Sequence, residues 1–328
     1  FEMNMPEGAL REAIKNHYSK IHKMDDLNFL KLIGPYVLGR VKFNKIIDSK
    51  ENLQLENILH TTKDNLFEEL MQKFAIRSGV SGVQPKLLLS AQNKTTMQFE
   101  HYIVKSWEKH YPELALNEYF CMRAIHNASL LTPEFYLSDD RSMFIMKRFD
   151  IQDNGEYIGF EDMCVLTARA TDEKYDGSYE EVARVIKDVI APKQRKETLK
   201  IYFTALIMNH LLRNGDGHLK NYGVLYENDY EDARLAPIYD VITTTIYIKK
   251  DIPALKISDA KLWFKEKTYK LFAKQSCNIN NKEYNEILDT CYKAIQDTKK
   301  EIDSYKNKNQ NVAVFLDMLK DSWKDKLE

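Results

Sequence analysis

Near the middle of the chain, the stretch Asn214-Gly215-Asp216-Gly217-His218-Leu219-Lys220-Asn221 brings two amides, a carboxylate, an imidazole and an amine close together. A carboxylate can orient and deprotonate a hydroxyl, and an amide oxygen with a second carboxylate can hold Mg²⁺ between two phosphates. The inventory therefore suits phosphoryl transfer, with Asp216 as base and His218 and Lys220 placed to steady the loop or the group in flight. The same residue types also build an ordinary glycine helix stop followed by an Asn/Asp-rich loop, and these eight residues alone do not separate the two.

The flanking sequence supplies the missing carboxylate. ETLKIYFTALIMNHLLR, residues 197–213, is apolar on most of its faces and is expected to be a buried helix that ends at the loop. YGVLY (222–226), the polar turn ENDYEDA and RLAPIYD (234–240) then read as strand, turn and strand. A hairpin returns the chain to its starting edge, so Asp240 is expected beside Asn221, with Asp216 near both. Asp216 and Asn221 also reproduce the D-x-x-x-x-N spacing of the protein-kinase catalytic loop.

Upstream, the stretch from Ser78 through Ser81 and Gly82 to Lys86 (SGVSGVQPK) is a Gly/Ser turn whose backbone N–H groups could approach phosphates. Hairpins use such residues freely. Lys105, inside the otherwise apolar YIVKSW, is disfavoured in a half-buried strand unless its charge is paired, and Glu118 on the following helix is an available partner. The alternative is a solvent-facing lysine on an alternating strand.

These segments belong to an expected α+β fold of two lobes. Residues 5–17 read as a helix with Pro6 at an early helical position, and the polar stretch to about 65 is less regular. From about 74, FAIRSGVSGVQPKLLLSA reads as a β-like run, a turn and a second run, followed by the strand MQFEHYIVKSW, a helix over 114–130, and a hairpin around Asp139-Asp140. Residues 1–149 are the expected N-terminal lobe, divided into a helical and irregular part (1–72) and a sheet with one helix (73–149). Residues 150–328 are the expected mainly α-helical lobe, with helices over 179–191, 194–213, 281–304 and 310–325.

The composition of the 328 residues is that of a globular protein, with 44% hydrophobic and 30% charged residues. A formal net charge of -1 supplies no global field toward nucleic acid or a membrane surface, so no direct nucleic-acid contact is expected. Cys121, Cys164, Cys277 and Cys291 are scattered without a CxxC pair, which argues against a zinc site or a disulfide framework. No apolar run approaches bilayer length and no charged-then-apolar leader opens the chain, so a cytoplasmic location is expected, with release from the cell left open.

Taken in order, SGVQPK, HYIVK, NEYFCMRA, MKRFD, NGDGHLKN and LAPIYDV resemble the HipA-like serine/threonine kinases, the toxin kinases of bacterial toxin–antitoxin systems, over about residues 74–245. MPEGALREAI and IGPYVLGRV look like the family's preceding subdomain, shortened as in its compact members. The resemblance implies a two-lobed kinase-like fold that binds ATP and Mg²⁺ and phosphorylates protein serine or threonine hydroxyls. It implies Asp216 as catalytic base, with His218 and Lys220 in the same loop, and Asn221 and Asp240 as metal ligands. Lys105 would contact the ATP phosphates, with Ser81, Gly82 and Lys86 in the Gly/Ser turn. The hinge for adenine would be Met146 to Phe149, including Arg148. Lys147 stands where the best-known member has Glu, and Gly79 aligns with a serine that the family often phosphorylates on itself. Ser78 and Ser81 are then the candidate self-phosphorylation sites, since a phosphate there would repel those of ATP. An antitoxin-type protein is the implied partner. The competing readings are a nucleotide-binding pseudokinase, an antitoxin-docking subunit, and a metal-dependent hydrolase using His218 and the two Asp.

Overall fold

The computed structural model of the protein describes residues 2–18, 25–43, 53–63, 65–78, 84–106, 111–228 and 230–328. The chain divides into two compact units, Phe1–Tyr119 with Pro133–Phe160, and Phe120–Thr132 with Glu161–Glu328.

The first unit opens with α1 (Gly8–Tyr18) and α2 (Asp26–Ile33), the latter capped by Asp25, whose carboxylate accepts from the Asn28 N–H. Pro6 was expected inside the first helix; it precedes it, and the helix starts at Gly8 in a left-handed conformation (φ 49°). Next come α3 (Leu55–Leu59) and α4 (Leu66–Phe74). Here the β-like reading of Phe74 to Arg77 is corrected: Phe67, Leu70 and Phe74 recur at helical spacing and point together into the core, and Ala75–Arg77 continue as a 3-10 turn.

β1 (Lys86–Asn93), β2 (Gln98–Lys105), β3 (Phe135–Leu137) and β4 (Phe144–Lys147) form one antiparallel sheet in the order β1-β2-β4-β3. Alternation separates its faces. Leu87, Leu89, Ala91, Tyr102, Val104 and Ile145 pack against Leu55, Ile58 and the α4 residues. The opposite face carries Lys86, Leu88, Ile103, Lys105, Phe144 and Met146, all buried. α5 (Leu114–Asn127) begins in this unit and ends in the second.

β5 (Gly159–Asp162) carries the chain into the second unit, followed by α6 (Met163–Leu166), α7 (Tyr179–Val189) and α8 (Pro192–Leu211). Pro192 occupies the first turn of α8, where its missing N–H costs nothing. The middle of α8 is apolar on every side, as expected from its sequence, because α7, α9 (Glu266–Cys277) and α10 (Asn281–Lys308) all pack on it. β6 (Gly223–Tyr226) and β7 (Arg234–Leu235) are the expected antiparallel hairpin, with Val224 opposite Leu235. α11 (Ala313–Ser322) closes the unit against α10.

Candidate active site

The buried end of α8 sets the loop. Arg213 turns the chain in a left-handed conformation (φ 56°), and Asn214 then bridges helix and loop, donating to Asn209 Oδ1 (2.8 Å) and accepting from the Asp216 N–H (3.0 Å). The Gly215 N–H donates to Thr244 Oγ1 at 2.8 Å. A Cβ on Gly215 would lie 2.0 Å from the Asp251 carboxylate and 2.8 Å from Thr244 Oγ1, so a side chain there would displace both neighbours.

The His218 N–H donates to Asn221 Oδ1 (2.9 Å), and Asn221 Nδ2 donates to Asp240 Oδ2 (3.3 Å), as the hairpin reading expects. Asp240 itself is held at φ 60°, a conformation an L-residue adopts at a cost and one that clusters at functional sites. The neighbouring Tyr239 hydroxyl donates to the Lys220 carbonyl (2.7 Å), locking the end of the hairpin to the loop. Asp216, Asn221 and Asp240 thus sit on one loop and one hairpin of the same unit.

Burial pushes the His218 imidazole below its ordinary pKa, with the Asp216 and Asp240 carboxylates opposing and Lys174 and Lys220 reinforcing. The ring is neutral near pH 7, and its Nδ1 is buried with no hydrogen-bond partner. Asp162, cap of α6, is pushed up by burial, against which the Lys220 charge acts. Lys220 therefore also serves a buried carboxylate outside the loop.

Two neighbours of the loop escaped the sequence reading. The Tyr175 hydroxyl donates to Asp216 Oδ1 (2.6 Å) while its ring meets His218 edge-on at 5.0 Å, and the carbonyl of buried Lys174 accepts from the Leu219 N–H (3.1 Å). The signal available was Lys174-Tyr175 beside Gly177. Nothing in that spacing ties it to a loop some forty residues on.

In the first unit, Lys105 Nζ donates to Glu118 Oε1 at 2.6 Å, with the two residues 2% and 0% exposed. The expected pair is formed, and the solvent-facing alternative for Lys105 is not what the fold adopts. Lys86 lies directly opposite Lys105 across the β1–β2 ladder, so two buried ammonium-bearing residues share one sheet face. Met146 shares that face with Ile103. The N–H groups of Lys147 and Arg148 are bonded to the carbonyls of Glu134 and His101, both at 2.8 Å. The Lys147 side chain stands on the other face and pairs with Glu100 (2.9 Å), which accounts for a lysine in this place.

The Arg148 guanidinium is buried and grips Asp150 with a fork of 2.9 and 2.6 Å, and Asp150 also accepts from the Gly39 N–H. Burial opposes the Asp150 charge, but Arg148 and Gly39 outweigh it and hold the carboxyl below its usual range. Lys42 joins the cluster over the Tyr157 ring (3.8 Å), its pKa brought down to about 7 by burial and by Arg148. Phe149 meets Phe160 edge-on at 5.5 Å. The Ser78 hydroxyl is buried, donating to the Phe74 carbonyl (2.9 Å) and accepting from the Leu88 N–H (2.8 Å), so phosphorylation there would first require those bonds to open. Gly79, Ser81 and Gly82 lie outside the described residues.

Among the described residues no three His, Cys, Asp or Glu side chains form a metal cluster. A Mg²⁺ site made of one carboxylate, one amide oxygen, phosphate oxygens and water needs no such cluster. Asn221 and Asp240 supply the donor types for it: the Asn221 amide nitrogen meets Asp240 at 3.3 Å, and the Asn221 carbonyl oxygen, which would be the ligand, keeps a second lone pair beyond the His218 bond.

The sequence profile described as the HipA-like C-terminal domain matches residues 78–299. Two curated proteins that carry the name "putative kinase" are each 28% identical to the chain. One is from Sinorhizobium fredii, over 80% of this chain and 66% of its own length; the other is from Haemophilus influenzae, over 51% and 53%. The chain thus spans about two thirds or less of the relatives it matches. Among solved structures, it is similar to the Shewanella oneidensis HipA of a HipA, HipB and operator DNA complex. That likeness has a TM-score of 0.68 and 18% identity, covering 98% of this chain and 83% of the other, and it shows the fold. Similarity to the Helicobacter pylori proinflammatory kinase CtkA is lower, with a TM-score of 0.48 at 18% identity over 73% of this chain and 91% of that one.

Proposed function

Because the chain belongs to the family of the HipA-like C-terminal domain, we propose that it is an ATP- and Mg²⁺-dependent protein kinase acting on serine or threonine hydroxyls. The observation that carries the reading is the approach of the Asn221 amide to the Asp240 carboxylate, with Asp216 on the same loop as Asn221. In this reading Asp216 orients the acceptor hydroxyl and takes its proton, while Asn221 and Asp240 hold the metal. Mg²⁺, when bound, neutralises the phosphate oxygens as charge shifts to the leaving group.

Neutral His218 and the charge of Lys220 shape the loop around that transfer. In the first unit, Lys105, set by Glu118, is assigned to ATP phosphates together with Lys86, Ser81 and Gly82. Met146 and the backbone through Phe149 are assigned to the adenine; the Arg148 side chain acts only through Asp150. Self-phosphorylation is assigned to Ser81 before Ser78, whose hydroxyl is already committed twice. An antitoxin-type protein is carried over as a partner from the Shewanella complex.

The test is transfer of labelled phosphate from Mg-ATP to a generic protein acceptor, followed by phosphoamino-acid analysis. Asp216→Asn is expected to reduce transfer about 10²–10⁴-fold, the usual worth of a general base. Equal labelling by both proteins removes Asp216 as base, and label confined to phosphotyrosine removes the serine/threonine assignment. A pseudokinase would bind Mg-ATP and give no Asp216-dependent product.

A further inference from the structure

The proposed base already accepts a hydrogen bond, at one of its two carboxylate oxygens, from a hydroxyl of the chain itself. The Tyr175 phenol donates to Asp216 Oδ1 at 2.6 Å, which is the hydrogen bond an incoming alcohol must make before transfer. Both the ring and the local backbone of Tyr175 are held in that place. Its ring meets His218 edge-on at 5.0 Å, its carbonyl accepts from Lys261 Nζ at 3.0 Å, and the preceding residue, Lys174, accepts from the Leu219 N–H of the loop. Lys174 Nζ lies 5.5 Å from the centroid of the Tyr175 ring, and with the residue 37% exposed the phenol is reached by solvent.

We propose that Tyr175 holds the acceptor's place on Asp216, keeping water off the base until a protein hydroxyl displaces the phenol. This inference rests on the kinase reading above and adds to it the means by which water, present at about 55 M, is refused as acceptor. Without the phenol, a water molecule can take the same hydrogen bond. Its oxygen then bonds to the γ-phosphorus, its proton passes to Asp216, and the bond to the β,γ-bridging oxygen breaks to release ADP and inorganic phosphate. A protein acceptor brings binding contacts that offset the loss of the Tyr175 hydrogen bond; water brings none. Tyr175 is therefore a positioning and specificity residue, and chemistry at the phosphorus does not pass through it.

The experiment uses the full chain with Mg-ATP and no acceptor, measuring ADP formation by the wild type, Tyr175→Phe, Asp216→Asn and the double variant. Phe keeps the ring against His218 and removes only the hydroxyl. Tyr175→Phe is expected to raise ADP formation about five-fold, the factor one net hydrogen bond confers, and Asp216→Asn in the same background should abolish the gain. With casein as acceptor, the ratio of ADP formed to phosphate transferred should rise in Tyr175→Phe. A merely structural loss would lower both rates together. ADP formation that is unchanged or slower in a variant with wild-type melting temperature overturns the inference, and so does phosphate found on Tyr175 of the wild type, since the phenol would then be an acceptor. The kinase reading is judged separately, by whether the wild type forms more ADP or phosphoprotein than Asp216→Asn; if it does not, both fall.

Discussion

A buried charge reveals itself in sequence only when its surroundings make it improbable. Lys105 was legible for that reason: an ammonium between Val104 and a buried ladder needs a partner, and Glu118 is bonded to it with both groups out of water. Removing one partner leaves the other charged and dry, so Glu118→Leu is expected to destabilise the protein by about 3–5 kcal/mol in chemical denaturation. The double change Lys105→Met/Glu118→Leu should recover much of the loss without recovering nucleotide binding. His210 was not legible, because a histidine in a helix carries no sign of its burial. It bonds the Tyr269 hydroxyl through Nδ1 (2.7 Å), and burial, aided by Arg213 and Lys324, brings its pKa from 6.5 down to about 3. The unfolded chain therefore binds a proton that the native state refuses between those values, so stability is full above pH 6.5 and falls as pH drops toward 3. Over that window the wild type should lose roughly 3–5 kcal/mol more than His210→Gln, as read from denaturation midpoints at several pH values.

The elements that position the loop were readable where apolar runs were bounded by polar turns. The apolar runs on either side of the polar turn 227–233 foretold a hairpin, and the hairpin brings Asp240 to Asn221. The helices α3, α4 and α9 were missed. In α9 the buried residues Tyr269, Phe272, Ala273 and Cys277 are spaced among lysines and polar residues that dilute the apolar stripe, so its helical character comes from packing on α7 and α8. The segment after α2 was also opaque: IGPYVLGRV shows no period, because its task is to bring the Gly39 N–H to Asp150. Gly39 stands at φ 71°, where a Cβ would meet the Phe160 backbone at 3.3 Å. This strap ties the N-terminal subdomain to the end of β4. Asp150→Ala leaves the Arg148 guanidinium buried without its fork and is expected to cost about 3–5 kcal/mol, whereas Arg148→Met/Asp150→Ala should cost less. The comparison is a double-mutant cycle on urea unfolding.

At the scale of the whole chain, the expected α+β class and the family were legible because six short motifs fall in order, each weak alone. The residues that set the geometry between motifs, such as Thr244 under Gly215 or Tyr175 on the Asp216 carboxylate, carry no such order and emerged only from the fold. The formal net charge of -1 leaves no long-range field to gather polyphosphates, so nucleotide affinity has to come from short-range groups. That makes ligand-induced stability a direct reading of those groups. A ligand bound only by the folded state stabilises it in proportion to the logarithm of its saturation, about 2.7 kcal/mol at a hundred-fold excess over Kd. For a chain of this size that corresponds to a rise of roughly 4 °C in melting temperature. Mg-ATP should produce this rise in the wild type, and EDTA should remove most of it. Lys105→Met and Asp240→Asn should each reduce the gain on their own, with one difference: Asp240→Asn should erase the Mg²⁺ dependence, while Lys105→Met should leave a smaller shift that still responds to EDTA. Scanning calorimetry of the three proteins with ATP, with and without Mg²⁺, decides it; an undiminished Mg²⁺-dependent shift in Asp240→Asn would remove Asp240 from the metal site.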